Sequence, residues 1–121
     1  MKIGRKISGA KYHQSRKKKK YEIDGQTKII HLGKEKRKTV RVRGGNVKTF
    51  MLSSDIANII DTKTKKSKKV KIKNVLETPS NRFLARQNVI VKGAIIETEA
   101  GKARVTNRPS QEGSVQAVLV E

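Results

Sequence analysis

The sequence predicts an all-β protein, a small antiparallel β-barrel of about six strands that carries an extended basic N-terminal arm. Three observations predict it. From Thr39 onward, apolar residues recur at every second position rather than at helical spacing. Turn chemistry at Gly44-Gly45-Asn46, Thr78-Pro79-Ser80-Asn81 and Asn107-Arg108-Pro109-Ser110 cuts that pattern into short segments. Charge is also unevenly shared: 17 Lys and Arg against Glu22, Asp24 and Glu35 give residues 1–49 a net +14 of the chain's +20, whereas residues 93–121 are close to neutral.

A chain of 121 residues has room for one domain. The pattern divides it at residue 38, into a basic extension (1–38) expected to be disordered when free and a β-barrel (39–121) expected to bind a polyanion. Val40 and Val42 alternate with Thr39, Arg41 and Arg43, which reads as a half-buried strand. Gly44-Gly45-Asn46 then turns the chain into Val47 to Leu52, making a first hairpin. Asp55 to Asp61 is either a short helix capped by Ser54 or a strand. The strand is preferred, because the polar connector Thr62 to Lys69 leads into Val70, Ile72 and Asn74 alternating with Lys69, Lys71 and Lys73. A second hairpin with a lysine ladder on its outer face follows.

Arg82 to Gln87 is a loop or one helical turn. Val89-Ile90-Val91 and Ala94-Ile95-Ile96 flank Gly93, where a bulge or a close backbone approach is expected. Thr98-Glu99-Ala100-Gly101-Lys102 turns into Ala103 to Thr106, and Val115 to Val120 is the last strand. The near-neutral C-terminal third is expected to supply most of the core.

So dense a positive charge repels itself unless a polyanion neutralises it, and a nucleic acid is the obvious one. Arg16-Lys17-Lys18-Lys19-Lys20 is the strongest candidate contact, since ammonium groups on flexible stems neutralise phosphates without fixed geometry. The alternative is a solvated charge run. Arg5, Lys6 and Lys11 share that acid-free stretch with Tyr12 and His13, whose rings either stack on an unpaired base or are passive neighbours.

Arg41, Arg43, Gly44, Gly45, Asn46 and Lys48 form a second cluster. There the bare glycine backbone can approach a phosphate between clamping arginines, or the glycines simply meet the needs of a hairpin. Asn81, Arg82 and Arg86 lie in an irregular segment, a favoured place for contacts, with capping and salt bridging as the alternative. Arg104 and Arg108 are weaker candidates, because Glu97 and Glu99 can pair with them.

Catalysis finds no support: Glu97 and Glu99 share a solvated strand face, and no nucleophile triad or carboxylate cluster accompanies them. No enzyme, cofactor, metal or small-molecule substrate is expected. With no cysteine there is neither a disulfide framework nor a thiolate site, and two histidines cannot make a zinc site alone. Apolar runs are too short for a membrane span. Residues 1–20 have the composition of a mitochondrial transit peptide, but Gly4 and Gly9 count against the amphipathic helix this requires. A DNA-binding nucleoid or chromatin architectural protein shares the electrostatics and is the second reading.

Arg5-Lys6-Ile7-Ser8-Gly9-Ala10, the basic run with Tyr21-Glu22, Lys36-Arg37-Lys38, Val40-Arg41-Val42-Arg43-Gly44-Gly45-Asn46, Asn81-Arg82 and Lys92 to Thr106 together resemble small-subunit ribosomal protein eight of the archaeal and eukaryotic type. The resemblance covers nearly the whole chain, and its compact length looks archaeal. It adds Arg37 to the candidates. It implies a barrel-like domain with a basic extension embedded in small-subunit ribosomal RNA beside neighbouring ribosomal proteins. It further implies a cytoplasmic, ribosomal location, a structural role in assembly and translation, no cofactor, and a monomer outside the ribosome. Two departures stand out. Ile23-Asp24-Gly25 replaces the family's Leu-Gly or Met-Gly after the Glu, and Lys65-Lys66 replaces a Gly-Lys in the second hairpin, implying a looser turn there.

Overall fold

The computed structural model describes residues 4–13 and 15–120; residues 1–3 and 14 of the arm, and residue 121, lie outside them. The fold is all-β, as expected, but its strands divide between two assemblies around one core. Strands β1 (His31–Leu32), β2 (Lys36–Arg41) and β3 (Val47–Ser54) form a sheet in the order β1-β3-β2. Strands β4 (Ile56–Ile60), β5 (Ser67–Glu77), β6 (Ile95–Thr98), β7 (Gly101–Val105) and β8 (Gln116–Leu119) close into a barrel in chain order. The closed barrel therefore has five strands, not about six. Its seam is a parallel pairing that sets Asn58, Ile59 and Ile60 beside Gln116, Ala117 and Val118.

A five-stranded barrel is narrow, and its interior must alternate small with large side chains. The register does this. Ala103 stands opposite Ile96 and Leu119, Ala117 opposite Ile59 and Val105, and Ala57 opposite Val70. Six of the thirteen residues in the core cluster come from residues 93–121, so the C-terminal third shares the core rather than supplying most of it. Ile30, only 1% exposed, belongs to the same cluster, and its carbonyl accepts the N–H of Ile90 at 2.9 Å. The packed chain thus begins ahead of Thr39, where the alternating pattern starts.

Both expected hairpins form, β2 with β3 and β4 with β5, and Asp55 to Asp61 contributes a strand. Local details differ from the pattern. All six residues of β2 are exposed, because this edge strand pairs along one side with β3 and neither of its faces is covered. In β5 the register shifts between Ile72 and Asn74, so Val75 takes the inward position expected of Asn74. A strand of 11 residues that pairs with both β4 and β6 has to bend, and bulges supply the bend.

Val89-Ile90-Val91 makes a single bridge, Val89 to His31, instead of a ladder; its apolar character comes from Val89 and Ile90 filling the core. Gly93 marks a turn with φ +83°, in which the Ala94 N–H donates to the Val91 carbonyl at 3.1 Å. Residues Arg82–Arg86 form one helical turn, α1. Among the described residues no helix is long and apolar enough to cross a membrane.

The turn at Lys65 is well tied. The Asp61 carboxylate accepts the Lys63 N–H at 2.9 Å and the Thr64 hydroxyl at 2.7 Å, and the Lys65 N–H donates to the Asp61 carbonyl at 2.9 Å. The Thr64 hydroxyl, then the Lys63 N–H, hold the Asp61 carboxyl below its ordinary value. Lys65 nevertheless adopts φ +54°, where a Cβ is strained and glycine is not. Lys65→Gly is expected to stabilise the protein by about 0.5–1 kcal/mol in urea unfolding. A loss of stability would contradict this account of the turn.

Candidate nucleic-acid interface

The arm carries two local structures. Arg5 and Lys11 form an antiparallel bridge around a turn in which the Gly9 N–H donates to the Lys6 carbonyl at 2.9 Å, with Gly9 at φ +79°. Ile7 is fully exposed in this turn, and Lys6 Nζ lies 5.6 Å from the centre of the half-exposed Tyr12 ring. Further along, Lys20–Glu22 make a 3₁₀ turn. Arg16 donates to both carboxylate oxygens of Glu22, at 2.8 and 2.5 Å, and the Lys19 N–H donates to the same carboxylate at 3.0 Å. The loop so closed leaves Lys17, Lys18, Lys19 and Lys20 exposed, and His13 is exposed just before it. Lys18 Nζ reaches 3.9 Å from Asp24, both side chains largely in solvent, where such a pair contributes little.

Arg16 is therefore not a free cation. Its guanidinium, then the Lys19 N–H, hold the Glu22 carboxyl below its ordinary value. The turn's electrostatic support is complete above the ordinary carboxylate value of 4.5 and is lost as pH falls through the lowered one. Carbon-detected NMR is expected to show the Glu22 carboxyl titrating below that ordinary value in the wild type and reverting toward it in Arg16→Gln. An ordinary titration in the wild type would contradict the turn.

On the folded unit, β2 presents Lys36, Arg37, Lys38 and Arg41 along an exposed edge strand. Arg37 is paired with Glu35. The hairpin end joins Arg43, Gly44 and Gly45 in a short 3₁₀ turn closed by the Val42 N–H on the Asn46 carbonyl at 2.8 Å. Both glycines have φ +78°, so the hairpin does demand glycine. Arg41, Arg43 and Lys48 stand exposed around it. A small hollow lined by Arg37, Glu35 and Lys69 connects this sheet to the outer face of β5, where Lys69, Lys71 and Lys73 are exposed.

At α1 the capping alternative holds for Asn81, whose side-chain oxygen accepts the Phe83 N–H at 3.0 Å. Arg82 lies over the exposed Phe83 ring, 5.4 Å from its centre, and Arg86 is exposed in the last turn. The expected pairing of Glu97 and Glu99 with Arg104 and Arg108 is not among the ion pairs found in the described residues. In the register Glu97 faces Lys102 and Arg104 faces Ile95. Lys28, which no local pattern singles out, stacks its ammonium 3.4 Å from the centre of the Phe50 ring. It is brought there by the fold alone, and so is Arg108 nearby.

These features define a class: a small β-barrel protein that carries its cations on an arm, an edge strand and a hairpin end. A family model described as "Ribosomal protein S8e" matches residues 1–120. The chain is 49% identical over 119 residues to the small ribosomal subunit protein eS8 of Ignicoccus hospitalis, covering 97% of this chain and 92% of that one. It is 48% identical over 117 residues to eS8 of Methanococcus aeolicus (96% and 91% covered) and 46% identical over 117 residues to eS8 of Methanocorpusculum labreanum (97% and 94%). The chain belongs to the ribosomal protein S8e family, whose members are structural ribosomal proteins rather than enzymes.

Proposed function

We propose that this protein is a structural constituent of the small ribosomal subunit, located with it in the cytoplasm, and that it binds ribosomal RNA through its arm and the cationic face of its sheet, beside neighbouring ribosomal proteins and as a monomer before assembly. The observation that carries this is β2: a six-residue strand with every side chain exposed, four of them cationic, has no packing role to explain it. RNA's deep major groove hides base edges, so Arg41, Arg43 and Lys48 dock on phosphates and 2′-hydroxyls, and the bare backbone at Gly44 and Gly45 lets a phosphate come close. Lys36 and Lys38 extend that surface; Arg82 and Arg86 hold a second edge of the RNA.

The arm, with Arg5, Lys6, Lys11, Tyr12, His13 and Lys17 to Lys20, orders fully when it threads into RNA. Lys-rich segments neutralise phosphates at many geometries, which suits this late ordering. The relatives' names, each a small-subunit protein, support the location. The test is cosedimentation from a cell extract at moderate salt and low magnesium. Migration with small subunits is expected, whereas migration with DNA in their absence would overturn the proposal.

A further inference from the structure

A cationic cleft lies between β3 and the loop that follows β7, sharing Lys48 with the hairpin end described above. Its larger part, about 570 Å³, runs along Val47 to Phe50 and faces Ser110 and Gln111; a second part of about 240 Å³ continues toward Lys92 and Arg108. Lys28 lines both and joins them. Lys28, Lys48, Lys92 and Arg108 bring four cations to the cleft, and among the described residues no Asp or Glu lines either part.

The wall opposite β3 is built rather than loose. Asn107, nearly buried, donates to the Ser114 carbonyl at 2.7 Å and accepts the Gln116 N–H at 3.0 Å, while the carbonyl of the buried Pro109 accepts the Met51 N–H at 3.2 Å. Asn107 also donates to the Glu112 carboxylate at 2.8 Å, which occupies the one acidic group of this loop. The loop therefore fixes Arg108, Ser110 and Gln111 at a set distance from β3.

We propose that this cleft receives one unpaired nucleotide of RNA, with its flanking phosphates on the four cations and its base between the Val47 and Phe50 side and the Ser110 and Gln111 side. The proposal rests on the RNA-binding function above and adds the strand state and the residues. The cleft's larger part, about 570 Å³, is within the ~300–1,000 Å³ range of small-ligand sites, which gives room for one nucleotide. Single-stranded RNA is recognised by aromatic faces beneath splayed bases and by hydrogen bonds to their edges. Phe50, only 6% exposed, offers its ring as that face once Lys28 swings off it. In the free protein that face is capped by the Lys28 ammonium, a weak cation–π contact that an arriving phosphate replaces with a charge-assisted one.

The test uses the full-length protein, amide NMR, and two probes at moderate salt: single-stranded hexauridylate and an RNA duplex of equal length. Hexauridylate is expected to shift Phe50, Ser110 and Gln111, and the duplex to leave them in place. Lys28→Gln with Arg108→Gln is expected to abolish those shifts and to flatten the log–log salt slope for hexauridylate by about 1.4, two contacts at ~0.7 each. A Lys28→Arg, Arg108→Lys pair should restore both, which a merely unfolded cleft would not. Shifts confined to the arm and β2, or equal shifts with the duplex, would overturn the cleft while leaving the RNA-binding function intact. Failure of the wild type to bind any RNA, a ribosomal fragment included, would overturn both.

Discussion

Replacing Lys17, Lys18, Lys19 and Lys20 together by glutamine is expected to cut the affinity for a small-subunit ribosomal RNA fragment by about a thousandfold at ~0.1 M salt. Each neutralised phosphate releases counterions and contributes roughly 0.7–0.9 to the log–log salt slope, so four lost contacts remove about three decades at that concentration. The structure supports counting all four. They stand exposed on a loop closed by Arg16 and Glu22, while their neighbour Arg16 is already occupied. Filter binding across a salt series measures both quantities. A loss below tenfold with an unchanged slope would mean that the lysines form a solvated run.

Ile30→Ala is expected to cost about 2–4 kcal/mol, the usual range for truncating a buried branched residue. That is a large share of the ~5–15 kcal/mol that holds a domain of this size. Ile30 is buried and shares the core cluster with Ile90, Met51 and Ile96. Removing residues 1–26 should therefore leave a cooperative urea transition, whereas removing residues 1–38 should abolish it, because Ile30, β1 and the first half of β2 go too. A shortened chain beginning at Thr39 that unfolded as cooperatively as the full protein would contradict the placement of Ile30.

The hairpins were legible because their signals are local. Gly44-Gly45-Asn46 permits one kind of turn, and alternation over five or six residues fixes which side chains share a face. What escaped is non-local. The barrel's closure depends on a parallel pairing of β4 with β8, over 50 residues apart, which no turn announces. Val40 and Val42 alternate as a half-buried strand would, but alternation cannot reveal that nothing covers β2. Ile30 sits with Ile29 and Leu32 in an apolar stretch too short to show a period, and its burial depends on the distant Ile90, whose N–H bonds the Ile30 carbonyl.

The interface follows the same division. The cationic run and the hairpin end are contiguous in sequence and were legible there as clusters of charge. The pairing of Arg16 with Glu22 and of Arg37 with Glu35 was not, since a sequence lists charges without their distances. Lys28, Lys48, Lys92 and Arg108 come from four separate segments, so only the fold could assemble them.

The central claim is that exposed cations of the arm, β2 and the hairpin end dock this protein on small-subunit ribosomal RNA. The salt dependence of wild-type binding to that RNA tests it most directly. With at least six phosphates engaged, the log–log slope should be steeper than about −4; a slope flatter than about −1 would contradict the claim.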